Sequence, residues 1–182
     1  MSKQILQLAA HRHSGVSFSE SLIAQESLQP ALLERIGGIP GFQELTDLFY
    51  NRIFDESNKT QEDVSLVNIF SSSNKHEAKE NLYRFLVQTF GGPPLYRETK
   101  GKFTRLAGRH ANYNITHASA NRWLFHMVHA AQQHSKLRND PEAQDALIKY
   151  FTYTAHYIVV AKQYMRSDQL SGGTQIDAGR AW

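Results

Sequence analysis

The sequence predicts an all-α protein, and three observations carry that expectation. Apolar residues recur three and four positions apart through most of the chain, which puts them on one face of a helix. Glycine and proline fall in a few clusters, as in long elements broken at defined points. No segment joins strict two-residue alternation to a hairpin-turn signal, so strands have no support.

Each element follows from local signals. Pro30 suits a helix start, and Gly37-Gly38 stop that helix after Ile36. Gly41 opens the next, where Phe42, Leu45, Phe49 and Ile53 share a face with Tyr50 beside it. Glu56 to Asp63 reads as loop, and Val64, Val67 and Phe70 as a short helix before Ser71-Ser72-Ser73. Asn74 is an N-cap with Glu77 as its capping-box partner. The helix it starts presents Ala78, Leu82, Phe85, Leu86 and Thr89, then stops at Gly91-Gly92-Pro93-Pro94. Leu95 to Ile115 has no clear period and reads as a long loop of the kind that carries function. Thr116 caps a helix that presents Trp123, Met127 and Ala130. Asp140-Pro141 starts the last one, with Leu147, Phe151, Thr154, Ile158 and Met165 at helical spacing.

With 41% apolar and 20% charged residues, the chain has the balance of a folded globular protein rather than a disordered one. Three regions are expected: an N-terminal extension over 1–29, one domain over 30–166, and a flexible polar tail over 167–182. The longest apolar run, Tyr157 to Ala161, is far too short to span a membrane. Met1 to Ala10 lacks a signal-peptide core, so a soluble cytoplasmic protein is expected. The net charge of +3 is too mild to argue for nucleic acid.

The chain has no cysteine, which excludes disulfides, thiolate metal sites, cysteine nucleophiles and covalent haem attachment. No Ser-His-Asp pattern or phosphate loop is present. His126 and His129, three apart on a helix, could meet one ion, but two histidines do not close a metal site; surface or groove positions are the plainer reading. Arg97, Lys100, Lys102, Arg105 and Arg109 form a basic loop against one acid, Glu98. Such a loop is either a solvated surface or a seat for a small anion or acidic partner. His110 follows it. By its setting alone it is either a polar surface residue or an imidazole projected into a cleft.

A run of motifs resolves the choice. Ile69-Phe70-Ser71-Ser72-Ser73-Asn74-Lys75, Phe85-Leu86-Val87-Gln88 and Gly91-Gly92-Pro93-Pro94-Leu95-Tyr96 come first. Gly108-Arg109-His110, Ile115-Thr116-His117 and Arg122-Trp123-Leu124-Phe125-His126-Met127 follow in order. Together with Ile36-Gly37-Gly38 and Phe49-Tyr50, this series resembles the group II truncated (two-on-two) haemoglobins, closest to the plant-like class 3 members. The resemblance spans about residues 30 to 165.

The resemblance implies a truncated globin, with four helices packed two over two around a non-covalent haem b and its iron. It makes His110 the proximal iron ligand, with Arg109 and the basic loop at the haem propionates. Trp123 and Tyr50 would donate to a bound ligand, and Phe70 would lie on the haem edge. Ala78 would stand where ordinary globins have a distal histidine, with Leu82 one turn deeper; Phe85 and Met127 complete the contacts. Two departures bear on the loop path: Gly101-Lys102-Phe103 replaces a common Gly-His-Pro, and Ala111-Asn112-Tyr113 replaces a common Pro-Phe.

The implied function is reversible binding of oxygen, nitric oxide or carbon monoxide, with oxygen transport as one use. The alternative is a haem enzyme, acting as nitric oxide dioxygenase, nitrite reductase or peroxidase. It would need an external reductase, because the chain has no flavin or nicotinamide domain. A homodimer is compatible with the resemblance. A helical interaction module without haem is the third reading, and the joint presence of His110, Trp123 and Tyr50 argues against it.

Overall fold

The computed structural model describes residues 3–55, 57, 59–70, 74–101 and 106–170, with side chains up to 165. The described residues are helical, with no strand among them. In order they form α1 (Lys3–Ser14), α2 (Phe18–Glu26), α3 (Leu32–Arg35), α4 (Gly38–Ile53) and α5 (Gln61–Ile69). Then come α6 (Lys75–Thr89), α7 (Leu95–Lys100), α8 (Leu106–Arg109), α9 (His117–Gln133), a 3-10 turn (Leu137–Asn139) and α10 (Pro141–Leu170). Helices α4 and α6 pack as one pair and α9 and α10 as the other, with α4 crossing onto α9. This is the expected two-over-two sandwich.

The periodic faces become the core. Phe42, Leu45, Phe49 and Ile53 are sealed, as are Leu86, Met127 and Leu147. Burying each such side chain contributes roughly 1.5–3 kcal/mol before the entropy of ordering it is counted. Leu82, Phe85, Phe70 and Trp123 stay only half-buried, although they lie against the same core. The reason is an internal cavity, described below.

Most caps fall where local chemistry puts them. Thr116 Oγ1 accepts from the Ser119 amide at 3.2 Å, and Ser119 Oγ accepts from the Thr116 amide at 2.9 Å. Asp140 Oδ1 accepts from the Ala143 amide, and its carboxylate also receives Arg35 of α3. Asn74 Oδ1 takes the Glu77 amide at 2.7 Å. The expected return bond from Glu77 is replaced by an ion pair with Lys100 of α7, 3.1 Å away.

Several boundaries differ from expectation. Helix α3 begins at Leu32, after a cis Gln29–Pro30 bond, rather than at Pro30. Helix α4 begins at Gly38, one turn before Gly41. Gly37 makes the turn into it at φ +97°, a conformation that strains any residue with a Cβ. Gly41 is needed for another reason: a Cβ there would sit 1.9 Å from the Ile36 carbonyl oxygen. The stretch from Leu95 to Ile115 is not all loop but contains α7 and α8. Helix α10 runs to Leu170, past the expected tail start; residues 171–182, like Ser71-Ser72-Ser73 and Lys102 to Arg105, lie outside the described residues.

The N-terminal segment is two helices packed along α10. Leu6 and Ala10 of α1 and Ser21 and Ala24 of α2 are buried. Ser17 and Glu20 close a capping box at the start of α2.

Candidate functional site

A cavity of about 280 Å3 lies between the two helix pairs. Helix α4 supplies Tyr50, and α5 supplies Leu66 and Ile69, with Phe70 at its C-terminal end. Helix α6 supplies Ala78, Leu82 and Phe85, and α9 supplies Trp123. Phe151, Thr154 and Ile158 enter from α10, and His110 from the residue after α8. Seven of the nine residues expected at a haem therefore line one cavity: Tyr50, Phe70, Ala78, Leu82, Phe85, His110 and Trp123.

The other two sit elsewhere. Met127 lies apart. It is wholly buried in the core, one turn beyond Trp123, and is absent from the cavity lining. Arg109 lines an open polar cleft that shares Ile69, Tyr113 and Ser119 with the cavity, and its guanidinium lies 5.0 Å over the Tyr96 ring. It thus stands at the cavity mouth. Lys102 and Arg105 of the basic loop fall outside the described residues.

His110 is oriented by its own helix. Its Nδ1 lies 2.7 Å from the Leu106 carbonyl oxygen, the first residue of α8. A carbonyl only accepts, so Nδ1 carries the proton and Nε2 keeps its electron pair. Burial lowers the His110 pKa, and the charges of Lys162 and Arg109 lower it further against the Leu106 bond. The ring is therefore neutral near pH 7, the form that ligates a metal.

On the other side of the cavity, burial raises the Tyr50 hydroxyl well above the usual phenol range, so it remains a proton donor. Its ring lies 5.8 Å from Phe70, edge to face. Trp123 is wedged between Phe49 and Phe151, at 4.9 and 5.4 Å. Neither the Tyr50 hydroxyl nor the Trp123 N–H has a hydrogen-bond partner among the described residues. Buried and half-buried polar groups of this kind ordinarily find one. An apolar cavity with one bare imidazole nitrogen, two unused donors and an arginine at its mouth fits a haem and a small polar ligand.

The profile of the bacterial-like globin family matches residues 31–159. The chain belongs to the bacterial-like globins, within the group 2 truncated haemoglobins. This globin is 35% identical to Two-on-two hemoglobin-3 of Arabidopsis thaliana, over 91% of the chain and 88% of that protein. It is 36% identical to Group 2 truncated hemoglobin 3-1 of Lotus japonicus, over 86% of each. Among solved structures it is similar to the hemoglobin of Chloroflexus aurantiacus, with a TM-score of 0.59 and 29% identity, over 70% of this chain and 96% of that one. As a globin it is a haem-binding protein that takes small diatomic ligands. The match to the Arabidopsis protein covers 166 residues, which leaves 16 of the 182 and so reaches into residues 1–29.

Sequence reasoning missed two features. Asp63 of α5, 5% exposed, receives Arg122 Nε and Nη2 at 2.6 and 2.7 Å and His126 Nε2 at 2.6 Å. The Arg122 hydrogen bonds hold its carboxyl far below the usual range. His126 is thus a buried partner of a carboxylate, not a surface or groove residue, while His129 Nδ1 bonds the Phe125 carbonyl oxygen. No three or more His, Asp or Glu side chains are placed to hold one metal ion among the described residues, and no described helix is long and apolar enough to cross a membrane. The second missed feature is a stack of histidines beside α1.

Proposed function

We propose that the protein holds haem b non-covalently through His110 and binds oxygen, or a similar diatomic ligand, reversibly in the cavity. The observation that carries this is the Nδ1–H bond of His110 to Leu106, which leaves the Nε2 electron pair on a side chain that lines the cavity. When bound, the haem supplies an iron centre that takes the diatomic ligand. The rest is done by the chain.

Leu106 fixes the His110 tautomer and ring orientation. Phe70, Leu82 and Phe85 exclude water from the cavity. The N–H of Trp123 and the hydroxyl of Tyr50 offer hydrogen bonds to a ligand that carries partial negative charge. Ala78 leaves room where a larger side chain would crowd it. Arg109, at the mouth, is placed for an anionic group on the cofactor rim.

Absorption spectra of the ferric, ferrous and carbon monoxide forms test the ligand assignment. The wild type is expected to take up one hemin, and His110→Ala to lose it or change its spectrum. An unchanged spectrum in His110→Ala overturns the reading. Trp123→Phe is expected to release oxygen about tenfold faster, the loss of one strong hydrogen bond. An unchanged rate removes Trp123 from that role.

A further inference from the structure

We propose that helix α1 is a working part of the His110 side of the cavity, latched to the globin by a stack of three histidines, and that acid releases it. The latch stands on geometry alone; its consequence for the cofactor rests on the reading of His110 above.

His13 ends α1, His117 begins α9, and His156 lies in α10. The His13 and His117 rings stack 3.7 Å apart at 15°, and His117 and His156 lie 5.0 Å apart at 21°. His156 Nε2 is 3.0 Å from Asn121 Oδ1, and its Nδ1 is 2.7 Å from His117 Nδ1. The amide oxygen only accepts, so His156 carries its proton on Nε2 and accepts at Nδ1. His117 therefore donates from Nδ1, and its Nε2 is left buried without a partner.

In this arrangement two neutral rings share one bridging proton. A second proton on His156 sets two N–H groups against each other across 2.7 Å unless His117 moves its own proton to Nε2. A second proton on His117 would bury an N–H with no acceptor. The charges that act on His156 are those of His117 and His13, and on His117 that of His13. No carboxylate is among them. Glu20 of α2 acts on Lys149 and His11 instead, and Lys162 and Arg109 act on His110. Burial first, and then the neighbouring imidazoles, push His156 down to about 4.

The latch reaches the cavity through packing. Leu6 and Ala10 of α1 share one buried cluster with Ala107 of α8 and Tyr153, Tyr157 and Ala161 of α10. Helix α8 leads directly into His110, and its first carbonyl aims that ring. Release of α1 uncovers Ala107 and loosens the support of His110. Release of α1 removes the His13 ring and part of the burial that hold His156 near 4, so each released molecule takes up protons more readily and docking weakens as pH falls below about 6.5.

The test is hydrogen exchange with mass spectrometry on the hemin-loaded full chain at about pH 7 and about pH 5, corrected for intrinsic rates. Residues 3–14 are expected to lose protection at least about tenfold at the lower pH in the wild type, while 38–53 keep theirs. His156→Gln, which cannot charge, is expected to keep 3–14 protected at both. No loss in the wild type, or equal loss in the variant, overturns the latch. Ala10→Arg, which forces α1 away at pH 7, is expected to speed hemin transfer to a scavenging apoglobin about tenfold. Released α1 with an unchanged transfer rate overturns the link to His110. If Ala10→Arg disturbs 38–53 as well, the wild-type and His156→Gln transfer rates at about pH 5 decide that link instead. Exchange at 3–14 in the hemin-free protein judges the latch independently, so a failed His110 assignment is told apart from a failed latch.

Discussion

Asp63 ties α5 to α9 through a buried carboxylate that takes Arg122, His126 and the Thr60 amide, whereas α1 reaches α9 and α10 through a stack of three imidazoles. Both contacts support a wall of the same cavity. In the first, a histidine donates a hydrogen bond from Nε2 to an anion. In the second, histidines face only each other and an amide. Their acid responses therefore diverge. The Asp63 carboxyl titrates below the usual carboxylate range, so its stabilising charge persists until pH falls through that low value. His156 in the stack is pushed down to about 4, so its contribution is present above about 6.5 and lost as pH falls from there toward about 4. The first contact keeps an anion beside its histidine in mild acid, although burial lowers the His126 pKa too; the second has no anion to hold a proton.

The largest way to break this contrast is to remove the anion. Asp63→Ala leaves Arg122 and His126 without their partner and is expected to cost about 3–5 kcal/mol in denaturant unfolding. A cost below about 1 kcal/mol would mean that water replaces the carboxylate. Met127→Ala, which touches neither wall, is expected to cost about 2–5 kcal/mol as a core truncation and to leave the visible spectrum of the hemin-loaded protein unchanged. A shifted spectrum would return Met127 to the haem contacts.

The acid side sharpens the comparison. Between about pH 7 and about pH 5, the wild type is expected to lose roughly 2 kcal/mol more stability than His156→Gln, from the one histidine depressed to about 4. Parallel pH profiles would show that His156 does not titrate in this window. The smallest effect is at the start of α9. Thr116→Ala removes the cap beside His117 and is expected to cost about 1 kcal/mol, read as a lowered melting temperature.

The α9 helix shows how far sequence reading extends. Its cap at Thr116 and its apolar row at Trp123, Met127 and Ala130 are legible because both signals lie within a turn or two of chain. Which of two residues on that row meets the cavity is not legible. Trp123 does and Met127 does not, because the cavity ends where α4 closes against α9. On α10 the row Phe151, Thr154 and Ile158 is periodic in sequence, yet its place on the cavity wall emerges only from packing. Helices α7 and α8 escape notice because six and four residues are too few to show a period.

His110 was singled out by its motif, and its free nitrogen needed only the Leu106 carbonyl four residues back. Asp63 and His126 are 63 positions apart, and His13 and His117 more than a hundred. The helices, most of their caps, the main core faces and the candidate ligand were written in the chain itself, because hydrophobic period and capping act over a few residues. The charged clamp, the histidine stack and the docking of the N-terminal helices were decided by tertiary structure. They depend on which helix faces meet, and no local signal encodes that.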